Sequence, residues 1–365
     1  MKTLLALALL IAAPAAAQIQ PPLAKYPHVE ESSFKAPDGS RTLEESVVID
    51  APAAVLWRAY VEPKEFARWN APMEAVDLRV GGAIEASYDA GAKVGDPDNI
   101  KHRLITWLPG RLLVFQNIQA PKSFPHPEVF QRTVITVRYE PQGPSRTRVV
   151  IAVSGWGSSP ADDQLYGFFR SGDAELLEKL RTVYGGAPAA AAPAAPDPVS
   201  ASVHDSSFTA ADGQRTLQQW IDIRGPASCV WQAFTDPAAL RASGISFARV
   251  ELRNGGGVEE GFTLDPKPGE TIRHQIITYL PESLLVLRNQ ATPVGLPGAD
   301  LYPTIVQVIS IEPQGLGVVR LSLAHTGYGA GGGYDDLYGF FRAHNPAFLT
   351  GAKARCEAPA AHAPG

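Results

Sequence analysis

Apolar positions follow two rhythms in this chain. In the stretch Thr42 to Ile49, Leu43, Val47 and Ile49 share one face, an alternation that predicts a half-buried strand. Asp50-Ala51-Pro52 follows, and Val55, Leu56, Ala59 and Tyr60 then recur at helical spacing. Proline suits a first helical turn, because the N–H it lacks would have no partner there. Pro63 opens a second short helix carrying Phe66 and Trp69. Strand patterns resume at Val76 to Val80, turn at Gly81-Gly82, and continue through Ile84 to Tyr88, Arg103 to Leu108, Leu112 to Gln116, Thr133 to Tyr139 and Arg148 to Ser154. Pro109-Gly110 and Pro141-Gln142-Gly143-Pro144 separate these runs at hairpin distances, which implies an antiparallel meander. A long helical pattern closes the unit with Leu165, Phe169, Leu176, Leu180 and Val183. One curved sheet with that last helix laid across its concave face is the economical way to bury these surfaces.

The whole pattern occurs twice. Ser32-Ser33-Phe34, Asp38-Gly39, Arg41-Thr42-Leu43 and Trp57 return as Ser206-Ser207-Phe208, Asp212-Gly213, Arg215-Thr216-Leu217 and Trp231, all 174 positions later. Further on the offset becomes 172, relating Glu140-Pro141-Gln142-Gly143 to Glu312-Pro313-Gln314-Gly315 and Leu165-Tyr166-Gly167-Phe168-Phe169-Arg170 to Leu337-Tyr338-Gly339-Phe340-Phe341-Arg342. A fixed offset with one two-residue deletion is a duplication of a domain-sized unit. The expected division is domain 1 over residues 32–184, an Ala/Pro linker over 185–203, domain 2 over 206–355 and a tail over 357–365. Gly172 and Pro346 predict a kink or break in the two closing helices.

Composition adds the compartment. Lys2, the apolar run Leu4 to Ile11 and the small residues Ala15-Ala16-Ala17 have the layout of a secretory signal over residues 1–17, which predicts a periplasmic or secreted protein. The balance of 32 basic against 37 acidic residues, with no basic run, argues against a nucleic-acid partner. No later segment has the length and apolarity of a stable membrane span. Cys229 and Cys356 are either a disulfide or two separate thiols at this level.

Residues Ile49 to Tyr60, then Glu62-Pro63 and Ala67-Arg68-Trp69, resemble the opening of START-like (SRPBCC) domains. Within that superfamily they are most similar to the chaperone-ATPase-activator-homologue and polyketide-cyclase-like group. Val76-Asp77-Leu78-Arg79-Val80-Gly81-Gly82 and Leu104 to Phe115 fit the following segments of the same pattern. The resemblance implies an α+β chain of two tandem helix-grip domains, each a curved antiparallel sheet wrapped around a C-terminal helix. The second copy departs from it at Arg224-Gly225-Pro226 and at Ser243-Gly244.

The helix-grip fold implies a cavity between sheet and closing helix. Candidate lining residues are Trp57, Tyr60, Trp69, Trp107, Trp156, Tyr166 and Phe169, with Trp231, Phe234, Tyr279, Tyr328, Tyr338 and Phe341 in the second copy. Any one of these rings is more simply explained as core; together they suit a pocket for a hydrophobic or aromatic small molecule. His102 and His274 recur, but strict alternation places them opposite Trp107 and Tyr279, on the outer face. Asp163 and Asp335 are expected to cap the closing helices.

Gly327-Tyr328-Gly329-Ala330-Gly331-Gly332 matches a dinucleotide fingerprint formally, yet no crossover to a parallel strand follows, so it is set aside. There is no Gly-x-Ser-x-Gly elbow, and the eight histidines lack metal spacing. The expectation is therefore no catalytic constellation, no metal and no cofactor. An exported binder or carrier of a hydrophobic ligand is the leading reading. A cyclase- or hydrolase-like enzyme using the same cavity, or a periplasmic interaction module, are the alternatives. Export would separate the chain from a cytoplasmic chaperone, so chaperone activation is not carried over.

Overall fold

The computed structural model describes residues 23–186, 202–242 and 244–358. The signal sequence read in residues 1–17, linker residues 187–201 and tail residues 359–365 lie outside the described residues.

In the first domain the elements are β1 (Val29–Glu31), β2 (Phe34–Lys35), β3 (Arg41–Ile49), α1 (Ala53–Val61), α2 (Pro63–Phe66), β4 (Met73–Val76), β5 (Ala83–Ser87), β6 (Ile100–Leu108), β7 (Leu112–Gln119), α3 (Pro127–Arg132), β8 (Val134–Pro141), β9 (Thr147–Trp156) and α4 (Pro160–Tyr184). The second domain repeats them as β10 (His204–Asp205), β11 (Phe208–Thr209), β12 (Arg215–Arg224), α5 (Ala227–Thr235), α6 (Pro237–Ala242), β13 (Phe247–Val250), β14 (Gly257–Gly261), β15 (Thr271–Leu280), β16 (Leu284–Ala291), a 3-10 turn at Tyr302–Thr304, β17 (Val306–Gly315), β18 (Val318–Tyr328) and α7 (Gly332–Glu357). Each forms a nine-stranded antiparallel sheet in which the first long strand pairs with the last, β3 with β9 and β12 with β18. The chain is two tandem helix-grip domains. The tight link between β4 and β5 requires glycine, since a Cβ on Gly82 would stand 2.2 Å from the Asp77 carbonyl oxygen.

Both closing helices are continuous where a kink or break was expected. Pro346 denies the Arg342 carbonyl its helical donor, but the Gln219 side-chain amide donates to that oxygen from β12 at 3.2 Å. The caps also differ from expectation. Ser159 caps α4 in a reciprocal box with Asp162, whereas Asp163 pairs with Arg41 at 2.7 Å. Asp335 pairs likewise with Arg215 at 2.7 Å, and Gly331 stands at the N-cap of α7.

The two sheets meet back to back. Ile105, Leu108, Leu112, Val114, Val134 and Ala152 from one outer face pack with Leu280, Leu284, Val286, Val306, Val308 and Ala324 from the other. Thr106 bonds Thr326 at 2.8 Å and Ser154 bonds Thr278 at 2.8 Å, each contact the counterpart of the other under the repeat. The exchange extends to rings: Phe208 packs on Trp107 at 5.6 Å and Phe34 on Tyr279 at 5.8 Å. Burying two apolar outer faces against each other explains why strands with both faces apolar, such as β7 and β16, exist in a two-domain chain. Cys229 on α5 and Cys356 in the last turn of α7 form a disulfide, closing the second domain around its helix.

Candidate functional site

The inner face of each sheet curls around its closing helix, and the space beneath differs between the copies. In the second domain a cavity of about 630 Å³ lies among α5, α6, the sheet and α7. Phe234, Leu240, Ile245, Ile309, Leu323 and Ala352 supply much of its apolar wall. Glu260, His274, Tyr302, Gln307 and Asn345 add polar groups, and exposed Phe262, Phe348 and Arg355 also border it.

In the first domain bulkier side chains crowd the matching space. Tyr60 packs on Phe66 at 5.7 Å, Trp69 at 5.9 Å and Phe115 at 6.1 Å, and the Trp69 indole N–H donates to the Ala59 carbonyl at 2.7 Å. Repeat arithmetic explains the contrast. Tyr60, Phe115, Tyr139 and Leu180 correspond to the smaller Phe234, Leu287, Ile311 and Ala352, and Glu175 and Lys179 to Ala347 and Gly351. Trp69 aligns with Ser243, which lies outside the described residues. A cavity was expected under each closing helix; bulkier rings narrow the first, and their truncation widens the second.

Of the rings proposed as lining, Phe234 and Phe341 border the second cavity. Trp231 and Tyr279 instead stack on each other at 6.4 Å, as Trp57 and Trp107 do at 6.2 Å. Trp156 is fully buried edge-on to Tyr166, and Tyr328 edge-on to Tyr338. Arg41 and Arg215 lie over Tyr166 and Tyr338 at 4.7 and 5.1 Å, so these tyrosines brace the junction of sheet and helix. Phe169 is enclosed by Phe124, Phe130, Phe168 and Trp156.

The histidines face inward, contrary to strict alternation. The ladder slips by one residue between Leu104 and Thr106 and again between Ile276 and Thr278. At each bulge two consecutive residues point outward, so the parity of β6 and β15 inverts along the strand. His102 therefore meets Phe115 at 4.9 Å and Phe130 at 5.8 Å, on the same face as Trp107. His274 faces the second cavity and touches Tyr302 edge-on at 5.6 Å. Burial pushes both imidazoles down to about 4, which keeps them neutral near pH 7.

Sequence pattern reasoning missed several buried polar groups. Glu45 lies fully buried on β3 between Leu43 and Val47, and neither of its oxygens has a hydrogen-bond partner. Both oxygens of Glu74 and Oδ2 of Asp173 are similarly buried without partners. Burial pushes Glu45 up to about 9, assisted by the neighbouring Asp173 and Glu31. It raises Glu74 to about 8, Asp173 to about 7 and, in the second domain, Glu260 to about 7. Among the described residues, no group of three or more His, Cys, Asp or Glu gathers as a metal ion would require, and no helix is long and apolar enough to cross a membrane.

Residues 50–185 match the family model described as activator of Hsp90 ATPase homolog 1-like protein. No curated protein is similar enough to count as a match. Solved structures with a similar chain path include the di-domain ARO/CYC BexL from the BE-7585A biosynthetic pathway, at 17% identity over 87% of this chain and 99% of that one, with a TM-score of 0.32. The di-domain ARO/CYC StfQ from the steffimycin pathway shares 14% over 86% and 98%, with a TM-score of 0.31. The Aha1 dimer from Colwellia psychrerythraea shares 16% over 40% of this chain and 98% of that one, with a TM-score of 0.32.

Proposed function

We propose that this protein, whose residues 50–185 match the activator of Hsp90 ATPase homolog 1-like family model and whose second half repeats the same fold, binds a hydrophobic or aromatic small molecule in its second domain. The observation that carries this reading is the 630 Å³ cavity under α7, a size suited to a drug-sized ligand and walled mainly by apolar side chains. On this reading the first domain, whose matching space carries bulkier rings, serves as a rigid partner that braces the second through the shared outer faces. The exported-carrier reading of the sequence assigns this binding to the space outside the inner membrane.

The test is to give the second cavity the first domain's own fillers, Leu287→Phe together with Ala352→Leu. Full-length protein purified gently from its own compartment should retain a small molecule in native mass spectrometry, and the filled variant should lose it while keeping its unfolding midpoint. No retained mass in the natural chain, together with no stabilisation by a panel of lipids and aromatic metabolites, would dispose of the reading.

A further inference from the structure

The polar groups inside the two domains differ in a way that narrows the ligand. Three interior carboxyls of the first domain, Glu45, Glu74 and Asp173, stand where the second domain has Gln219, Ala248 and Asn345. One carboxyl reappears on the facing strand. Glu74 pairs across the ladder with Ala86, whereas Ala248 pairs with Glu260, so the acid has crossed a single rung. Glu260 borders the cavity, and so do His274, Tyr302 and Asn345.

A relay of rings links this polar end to the helix. His274 meets Tyr302 at 5.6 Å, Tyr302 meets Phe341 at 4.9 Å, and Phe341 stacks on His325 at 4.3 Å. Asn345 approaches His325 Nδ1 with its amide nitrogen at 3.5 Å. His274 Nδ1 is buried with no hydrogen-bond partner, as is His102 Nδ1 in the first domain, and the His274 ring borders the cavity. Arg355, exposed on α7, is the one cation among the residues bordering the cavity. A ligand carboxylate at the polar end would therefore face the Glu260 carboxyl, raised to about 7, and a histidine that burial holds neutral, with no buried cation among the bordering residues to compensate it.

We propose that this cavity, read as the ligand site above, selects an uncharged ring-bearing molecule whose hydroxyl or carbonyl group hydrogen-bonds to His274 and Glu260, and rejects the corresponding carboxylate. A hydroxyl can donate to a neutral imidazole nitrogen, and it can also accept from the Glu260 carboxyl while that group keeps its proton, which it does below its raised value of about 7. Aromatic side chains at Phe234, Tyr302 and Phe341 supply the faces on which a ring system packs.

Three fluorescent probes of one shape test this on the full chain at pH 7: pyrene, 1-hydroxypyrene and 1-pyrenecarboxylate. The hydroxyl compound should bind about 3- to 10-fold more tightly than pyrene, the range one net hydrogen bond supplies. The carboxylate should bind at least about tenfold more weakly than the hydroxyl compound, because its charge would go unpaired. In His274→Phe the hydroxyl advantage over pyrene should vanish while pyrene itself still binds. Equal or tighter carboxylate binding, or a hydroxyl advantage that survives His274→Phe, would overturn the proposed selectivity and leave the cavity reading standing. Failure of all three probes to bind would overturn both.

Discussion

Replacing Glu45 with glutamine should stabilise the first domain at neutral pH and remove part of its pH dependence. Glu45 sits on the inner face of β3 with both oxygens buried and unpartnered; Asp173, Glu31 and Arg170 are the charged groups near it, and Arg170 is engaged by Glu31 at 2.8 Å. Its carboxyl is raised from 4.5 to about 9, so folding at pH 7 requires a proton that the unfolded chain has already released. That uptake costs about 1.4 kcal/mol for each pH unit above the unfolded value, or about 3 kcal/mol at pH 7. The sign follows from the direction of the shift. Stability is greatest below about 4.5 and falls as pH rises through the folded value near 9. Glu45→Gln should therefore be more stable than the natural chain by about 2–3 kcal/mol at pH 7, with the difference shrinking toward zero near pH 4.5. The second domain already carries glutamine at this place, Gln219, so the amide fits the fold. Four of the six tryptophans, Trp57, Trp69, Trp107 and Trp156, lie in the first domain, so urea unfolding followed by tryptophan fluorescence reports mainly on it. Identical pH slopes between pH 5 and 9 for the two proteins would refute the reasoning.

Other expectations follow from the same geometry. The Cys229–Cys356 bond closes a separation of 127 residues, so Cys229→Ser with Cys356→Ser should lower stability by up to about 5 kcal/mol on the chain-entropy account, read by denaturant midpoint with reduced natural protein as the control. Phe208→Ala removes a ring that packs on Trp107 across the domain boundary; a loss of about 2 kcal/mol is expected for this partly buried side chain, below the value for a fully buried one, together with a shifted tryptophan emission from the first domain. Ser159→Ala breaks the capping box of α4 and should cost about 1 kcal/mol by thermal unfolding.

Much of the architecture was legible because it rests on short-range patterns. Leu43, Val47 and Ile49 are in the first core as their alternation requires, and the repeat offset carries over residue by residue into the second sheet. The histidines were misplaced because alternation has no memory of a bulge; nothing local marks Ile105 or Ile277 as the extra residue. The continuity of α7 was hidden because the donor that rescues the Arg342 carbonyl comes from Gln219, more than a hundred residues away. Glu45 was overlooked for a different reason: the alternation of Leu43, Val47 and Ile49 places position 45 on the inner face, but residue type alone assigns a glutamate to solvent. The cavity itself was half legible: the aromatic inventory pointed to an interior of rings, but which rings border an opening depends on truncations such as Phe115 to Leu287 and Leu180 to Ala352 in the second copy.

A crystal structure of the full chain soaked with 1-hydroxypyrene bears on the central claim most directly. The account predicts one molecule between the second sheet and α7, its hydroxyl beside His274 and Glu260 and its ring system against Phe341. A second domain closed over its own side chains, with the probe elsewhere or absent, would contradict it.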